Sequence, residues 1–145
     1  MYPLNAVETI MLAALFAQVI LTFGLYVELG RRRYAEFFGH KVQSDEIALK
    51  DEAWSDNARK ASNSVNNQFQ LPVLFYVACL IALWMRISMI EAILAWLFVI
   101  SRYVHAGIHI TTNNVRHRHA AFFAGFAFLA IIWIALLVRF VFGGQ

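Results

Sequence analysis

Four long stretches of apolar residues, separated by polar segments, dominate the chain. A transmembrane helix needs about 20 largely apolar residues, and each stretch is long enough to supply one. The pattern predicts membrane-spanning helices over residues 5–29, 51–87, 91–112 and 119–142, of which the second includes a cytoplasmic extension. Pro72 lies inside the second helix and is expected to kink it, which membrane helices tolerate.

Composition agrees with a single membrane domain over residues 1–145. The 145 residues are 61% apolar and only 14% charged, whereas about a quarter of the residues in a soluble domain are charged. A soluble domain of this size cannot bury so much apolar surface. A soluble enzyme, a disordered tail and a disulfide scaffold are therefore excluded, and the lone Cys79 cannot form an internal disulfide. The expected fold is an all-α, four-transmembrane-helix bundle.

The basic residues predict the orientation of this bundle. Arg31 to Arg33 follow the first span as a stop-transfer signal, which distinguishes it from a cleaved signal peptide. Seven of the twelve lysines and arginines lie in the loop 30–62: Arg31, Arg32, Arg33, Lys41, Lys50, Arg59 and Lys60. The positive-inside rule places the loops 30–62 and 112–119 in the cytoplasm and both termini outside. In a bacterium the membrane would be the inner one. The net charge of +3 then reflects topology and not nucleic-acid binding.

Polar residues recur at helical spacing on the second and third spans and define two stripes. The second-span stripe comprises Arg59, Asn63, Asn66, Asn67 and Gln70; the third-span stripe comprises Arg102, His105, His109 and Asn113. Intervals of three and four place each set on one helix face. Both stripes are expected to converge at the cytoplasmic boundary, next to Arg116 and Arg118. Amides in such stripes can also simply hold helices together, at about 0.6 kcal/mol each.

Arg102 is the least expected of these residues, because an arginine inside a span costs about 2.5 to 3.5 kcal/mol to insert. Its counter-ion is expected to be an anionic ligand or Glu28 of the first span. His105 and His109, one turn apart, could also bind a metal or haem. That alternative is weak, because no carboxylate or cysteine joins them in the sequence.

The motifs resemble those of the membrane-associated proteins in eicosanoid and glutathione metabolism (MAPEG), in their bacterial-type form. The segment from Asn67 through Gln70 to Pro72 is similar to the family's Asn-x-x-Glu element and the proline after it, with Gln70 in place of Glu. Arg102-x-x-His105-x-x-x-His109 resembles the Arg-x-x-His-x-x-x-Tyr pattern of the prostaglandin E-forming member. Arg116 and Arg118 fall where the family places the arginine that faces the glutathione sulfur.

The resemblance implies a homotrimer that holds glutathione between neighbouring copies. It implies a glutathione-dependent transferase or peroxidase whose lipophilic substrate enters from the bilayer. Arg118 or Arg116 would stabilise the thiolate and His105 or His109 would donate a proton; Arg59, Asn63, Asn67, Gln70 and Arg102 would bind glutathione. A non-catalytic lipid-binding or scaffold protein of the same architecture is the alternative, and a His-ligated haem or metal protein is a third.

Overall fold

The computed structural model describes residues 3–39, 42 and 53–143. Four helical segments in this part are long and apolar enough to cross a membrane, so the expected all-helical membrane fold is confirmed. The helices are α1 (Ala6–Phe38), α2 (Asp56–Asn66), α3 (Leu71–Trp84), α4 (Met89–Ile110) and α5 (Val115–Phe142). Together, α2 and α3 form the second span, joined by a 3-10 turn over Asn67–Phe69.

The second span differs from the single helix that the sequence predicts over 51–87. Regular helix stops at Asn66, and Gln70, with φ −107° and ψ −108°, separates the 3-10 turn from α3. Pro72 therefore stands in the first turn of α3, where a helix does not need the missing N–H. The proline follows a break and does not kink a continuous helix. The predicted start at residues 51 and 52 lies outside the described residues, and Ser55 caps α2.

A buried pair of amides holds this break against α1. The Gln18 Nε2 donates to Gln68 Oε1 at 2.9 Å, and the Gln68 Nε2 donates to the Ser64 carbonyl oxygen at 3.1 Å. Both glutamine side chains are buried. Because polar groups in an apolar interior are costly unless they are paired, the bonds favour one position of the break relative to α1.

Two hydrogen bonds set the relative level of α1 and α4. Trp96 Nε1 donates to the Ile10 carbonyl oxygen at 3.1 Å, and the Tyr103 hydroxyl donates to the Ala17 carbonyl oxygen at 2.8 Å. The sequence offset is 86 in both pairs, so the helices run in the same direction. Gln18 is consequently level with the segment of α4 that carries Arg102 and His105.

At the predicted cytoplasmic end, Arg32 connects α1 to two other helices. Its guanidinium pairs with Glu28 at 2.7 Å and donates to the Asn57 backbone and side-chain oxygens at 2.8 Å. It also donates to the Ile110 carbonyl oxygen at 2.9 Å, at the end of α4. A cation at this position satisfies a terminal carbonyl and complements the helix dipole.

An apolar core fills the part of the bundle that lies beyond the buried glutamines, away from Arg32. Phe75 of α3 stacks on Phe98 of α4 with ring centroids 4.5 Å apart, and both rings are fully buried. At the end opposite Arg32, Arg139 of α5 pairs with the buried Glu91 at 2.7 Å and connects α5 to the start of α4. Many large apolar side chains, such as Phe23, Trp84 and Phe140, remain exposed, as expected of a surface that faces lipid.

Helices α4 and α5 approach each other closely at Gly125. A Cβ atom there would overlap the Ser101 hydroxyl, which itself donates to the Phe98 carbonyl oxygen at 2.6 Å. The Ser101 Cβ is at an ordinary contact distance of 3.5 Å. The hydroxyl is therefore the atom that excludes a side chain at residue 125.

We expect Gly125→Ala to lower the stability of the bundle by about 1–3 kcal/mol, as overpacking does. Adding Ser101→Ala should recover most of this loss, because it removes the overlapping oxygen. Gly107→Ala is the matched control: nothing lies within 4 Å of its Cβ position, so the better helix former should be neutral or stabilising by up to about 1 kcal/mol. Thermal unfolding in detergent compares the stability of the wild-type protein with that of Gly125→Ala, of Gly125→Ala combined with Ser101→Ala, and of Gly107→Ala. Equal effects at Gly125 and Gly107 would contradict the close approach.

Candidate functional site

The third-span stripe points into the interior of the bundle. Arg102 is 0% exposed, and His105 and His109 are buried beside it. None of the three guanidinium nitrogens of Arg102 has a hydrogen-bond partner in the part of the chain that the structure describes. The ring of Phe122, on α5, lies 5.9 Å from its Cζ atom, a cation–π distance. Arg102 therefore faces protein and not lipid.

Of the two counter-ions expected for Arg102, an anionic ligand or Glu28, the second is wrong. Glu28 bonds Arg31 at 2.8 Å and Arg32 at 2.7 Å, because these residues follow it by three and four on the same helix. Every other acid within residues 3–39 and 53–143 also has a different polar partner: Glu8 bonds Asn5, Glu36 bonds Ser55, Asp56 pairs with Arg59, and Glu91 pairs with Arg139. No described carboxylate pairs with Arg102.

The two buried histidines differ in their neighbours. His105 lies against Phe122 with ring centroids 6.0 Å apart, whereas His109 Nε2 is 3.3 Å from Arg118 Nη1. Their own rings are 5.8 Å apart. Among the described residues, no group of three or more His, Cys, Asp or Glu side chains could hold a metal ion. The metal or haem alternative thus has only two histidines to build on.

The second-span stripe has the opposite environment. Arg59, Asn63, Asn66 and Gln70 are exposed on the outside of the bundle. Asn67 is half-buried, and its side-chain amide donates to the Asn63 carbonyl oxygen at 2.8 Å. The two predicted stripes therefore do not face each other along their length, since one points inwards and the other outwards.

The stripes approach each other at a cleft at the predicted cytoplasmic boundary. The cleft has a volume of about 310 Å³ and is lined by Asp56, Arg59, Lys60 and Asn63 of α2 and by Asn113, between α4 and α5. We call it the α2 cleft. Asn113 has a φ of 51°, a left-handed conformation that asparagine adopts more readily than most residues. Its side-chain oxygen accepts from Arg118 Nη1 at 2.6 Å.

The structure separates the two arginines of the α4–α5 region. Arg118 is half-buried, and its guanidinium contacts both Asn113 and His109. Arg116 is exposed, and its backbone N–H donates to the Asn114 side chain that caps α5. Arg118 is thus the arginine that is fixed beside the α2 cleft.

Two residues of the cleft, Asp56 and Lys60, are missing from the site that the sequence predicts. Both lie on the first turns of α2, where Lys60 Nζ donates to the Thr111 carbonyl oxygen at 3.4 Å. A signal for them exists in the sequence, because Asp56, Lys60 and Asn63 are spaced by four and three. Gln18 and Gln68 are also missing, and the sequence gives no indication that these two amides would pair across a helix break.

In a comparison with protein families, the profile of the MAPEG family matches residues 11–138. This range includes both stripes and the α2 cleft. No curated protein matches the chain, and no solved structure matches it either.

Replacing Arg102 with leucine should leave the stability unchanged or raise it by up to about 2 kcal/mol, since it removes a desolvated charge that has no described acid partner. Arg32→Leu is the matched control, because Arg32 makes the bonds to Glu28, Asn57 and Ile110. We expect it to destabilise the bundle by about 1–3 kcal/mol, as it leaves partly buried acceptors without donors. Thermal unfolding in the same detergent compares them. A loss at Arg102 as large as that at Arg32 would contradict the absence of an acid beside it.

Proposed function

Because this chain belongs to the MAPEG family, we propose that it is a glutathione-dependent transferase or peroxidase that acts on a lipophilic electrophile. Family membership supports a membrane-embedded role in glutathione or eicosanoid metabolism, and four span-capable helices make the chain a multi-pass integral membrane protein. The observation that carries the finer proposal is Arg118, a half-buried cation fixed by Asn113 beside the α2 cleft.

A cation at this position suits thiol chemistry. A free thiol has a pKa near about 8.5 and is mostly protonated at neutral pH, whereas the thiolate is the nucleophile. A guanidinium near the sulfur favours the thiolate, and each unit by which it lowers the thiol pKa corresponds to about 1.36 kcal/mol. We assign this role to Arg118, because its position is defined by two side chains, and not to the exposed Arg116.

The exposed face of α2 supplies groups that suit the rest of glutathione. On α2, Arg59 carries the charge for a carboxylate and Asn63 carries an amide that can bond a peptide backbone. Asn67 and Gln70 carry further amides beyond the end of α2.

His109 lies against Arg118 at 3.3 Å, so we propose that it positions Arg118. His105, one turn deeper, is buried against Phe122 and does not line the α2 cleft. We propose His105 or His109 as the proton donor.

We also propose that the chain forms a homotrimer, with the cytoplasmic loops and outside termini that its charges predict. The support is the pair of exposed amides Asn66 and Gln70, which lie on the second span and do not line the α2 cleft. Polar groups that face lipid are costly, and a neighbouring copy would cover them. The number three comes from the family resemblance. Mass measurement in mild detergent should give three chains, and a stable monomer or dimer would contradict the proposal.

The activity is tested with purified protein, glutathione and a generic aryl halide, by following thioether formation. Arg118→Gln should lower kcat/KM at pH 7 by about tenfold, which corresponds to a rise of one unit in the thiol pKa. The deficit should shrink as the pH rises above about 9, because the thiolate then forms without the cation. Arg116→Gln is the matched comparison, and its effect should stay below about twofold.

Three other outcomes contradict parts of this proposal. A larger loss in Arg116→Gln than in Arg118→Gln would exchange the roles of the two arginines. A deficit in Arg118→Gln that does not depend on pH would exclude thiolate stabilisation. The absence of both turnover and retention on immobilised glutathione would favour the non-catalytic lipid-binding or scaffold protein.

A further inference from the structure

The α2 cleft contains an acid that has no role in the function proposed so far. We propose that Asp56 binds the ammonium group of glutathione and so fixes the amino-acid end of the tripeptide at the beginning of α2. This inference rests on the glutathione binding proposed above. It adds a residue that determines which thiol the site accepts.

The charges of the cleft complement those of glutathione. Arg59, Lys60 and Asp56 line it, and their formal charges sum to +1. Glutathione has two carboxylates and one ammonium, and therefore a net charge of −1. In the described part of the chain, Asp56 is the acid that lines this cleft; the remaining acids there have the other partners given above.

The Asp56 carboxylate is available to a ligand. Its side chain is 93% exposed, and its contact with Arg59 Nη1 is long for an ion pair, at 3.5 Å. An exposed pair of this kind contributes little to stability, so a ligand can replace it at small cost. Both groups of the pair would then find a partner of opposite charge.

Asp56 and Arg59 together match the two charged groups of one α-amino acid. They are three residues apart on α2 and therefore lie on the same helix face. The γ-glutamyl residue carries its ammonium and its carboxylate on a single carbon. These two groups of the ligand are therefore neighbours, as the side chains of Asp56 and Arg59 are. We infer that Asp56 takes the ammonium and Arg59 takes that carboxylate.

Length gives the direction in which the remainder of the tripeptide extends. Asp56 and Asn63 are seven residues apart on α2, about 10 Å along the helix axis. An extended tripeptide spans about 10 Å as well. With its amino-acid end at Asp56, the ligand would extend towards Asn63 and Asn113, and Arg118 donates to Asn113.

Gln70 is the other candidate for the ammonium group. It is a neutral amide, which lacks the charge that strengthens a hydrogen bond to an ammonium. It also lies at the break before α3 and does not line the α2 cleft. The two assignments place the amino-acid end of the ligand at opposite ends of the segment from Asp56 to Gln70, and a binding experiment can therefore separate them.

The experiment compares glutathione with its desamino analogue, in which a glutaryl group replaces the γ-glutamyl residue. Calorimetric titration of the purified wild-type protein should give a Kd about threefold to tenfold lower for glutathione than for the analogue, as expected for one exposed ion pair. Asp56→Asn should remove this preference by weakening glutathione binding alone. Asp56→Glu, which retains the charge, should keep the preference.

Gln70→Leu is the matched control, and it should keep the preference for the ammonium even if both ligands bind more weakly. Preference retained in Asp56→Asn, or lost in Gln70→Leu instead, would overturn the assignment while leaving glutathione binding intact. Failure of the wild-type protein to bind either ligand would overturn the proposed function and this inference together. Thermal unfolding of each variant verifies that the exposed substitutions leave the fold unchanged.

Discussion

The arrangement of the bundle at its predicted cytoplasmic end depends on the bonds of Arg32. One guanidinium joins α1 to the first turn of α2 through Asn57 and to the last turn of α4 through the Ile110 carbonyl. Glu28, one turn earlier on α1, balances its charge at 2.7 Å. Because arginine offers five donors in a fixed plane, it can hold three helices at once. The positions of α2, and so of the α2 cleft, follow from this connection.

The break in the second span separates two requirements that one continuous helix would have to meet together. After the break, α3 packs its apolar face, including Phe75, into the core of the bundle. Before the break, α2 exposes Arg59 and Asn63 on the surface of the bundle, where a water-soluble ligand can reach them. The buried Gln18–Gln68 pair keeps the break in place at 2.9 Å, since an unpaired amide at that depth would be costly.

The α2 cleft and the surfaces beyond it differ in polarity. The α2 cleft is lined by charged and amide side chains, whereas the faces beyond it expose large apolar residues such as Phe23 and Phe123. In the proposed function, the charged tripeptide would approach from water and the lipophilic substrate from the bilayer. Arg118 lies at their boundary in the proposed site, where a low dielectric strengthens the effect of its charge on a thiol.

The sequence by itself determined the all-helical membrane class, because apolar stretches of spanning length have few other stable structures in lipid. It also indicated the two polar stripes, because helical spacing is a local property. It could not determine which way each stripe faces or which acid meets which cation: Glu28 bonds Arg31 and Arg32, its neighbours on α1, and not the distant Arg102. Nor could it indicate that Asp56 and Lys60 share a cleft with Asn113. These features depend on how helices distant in sequence pack together, and only the tertiary structure decides that.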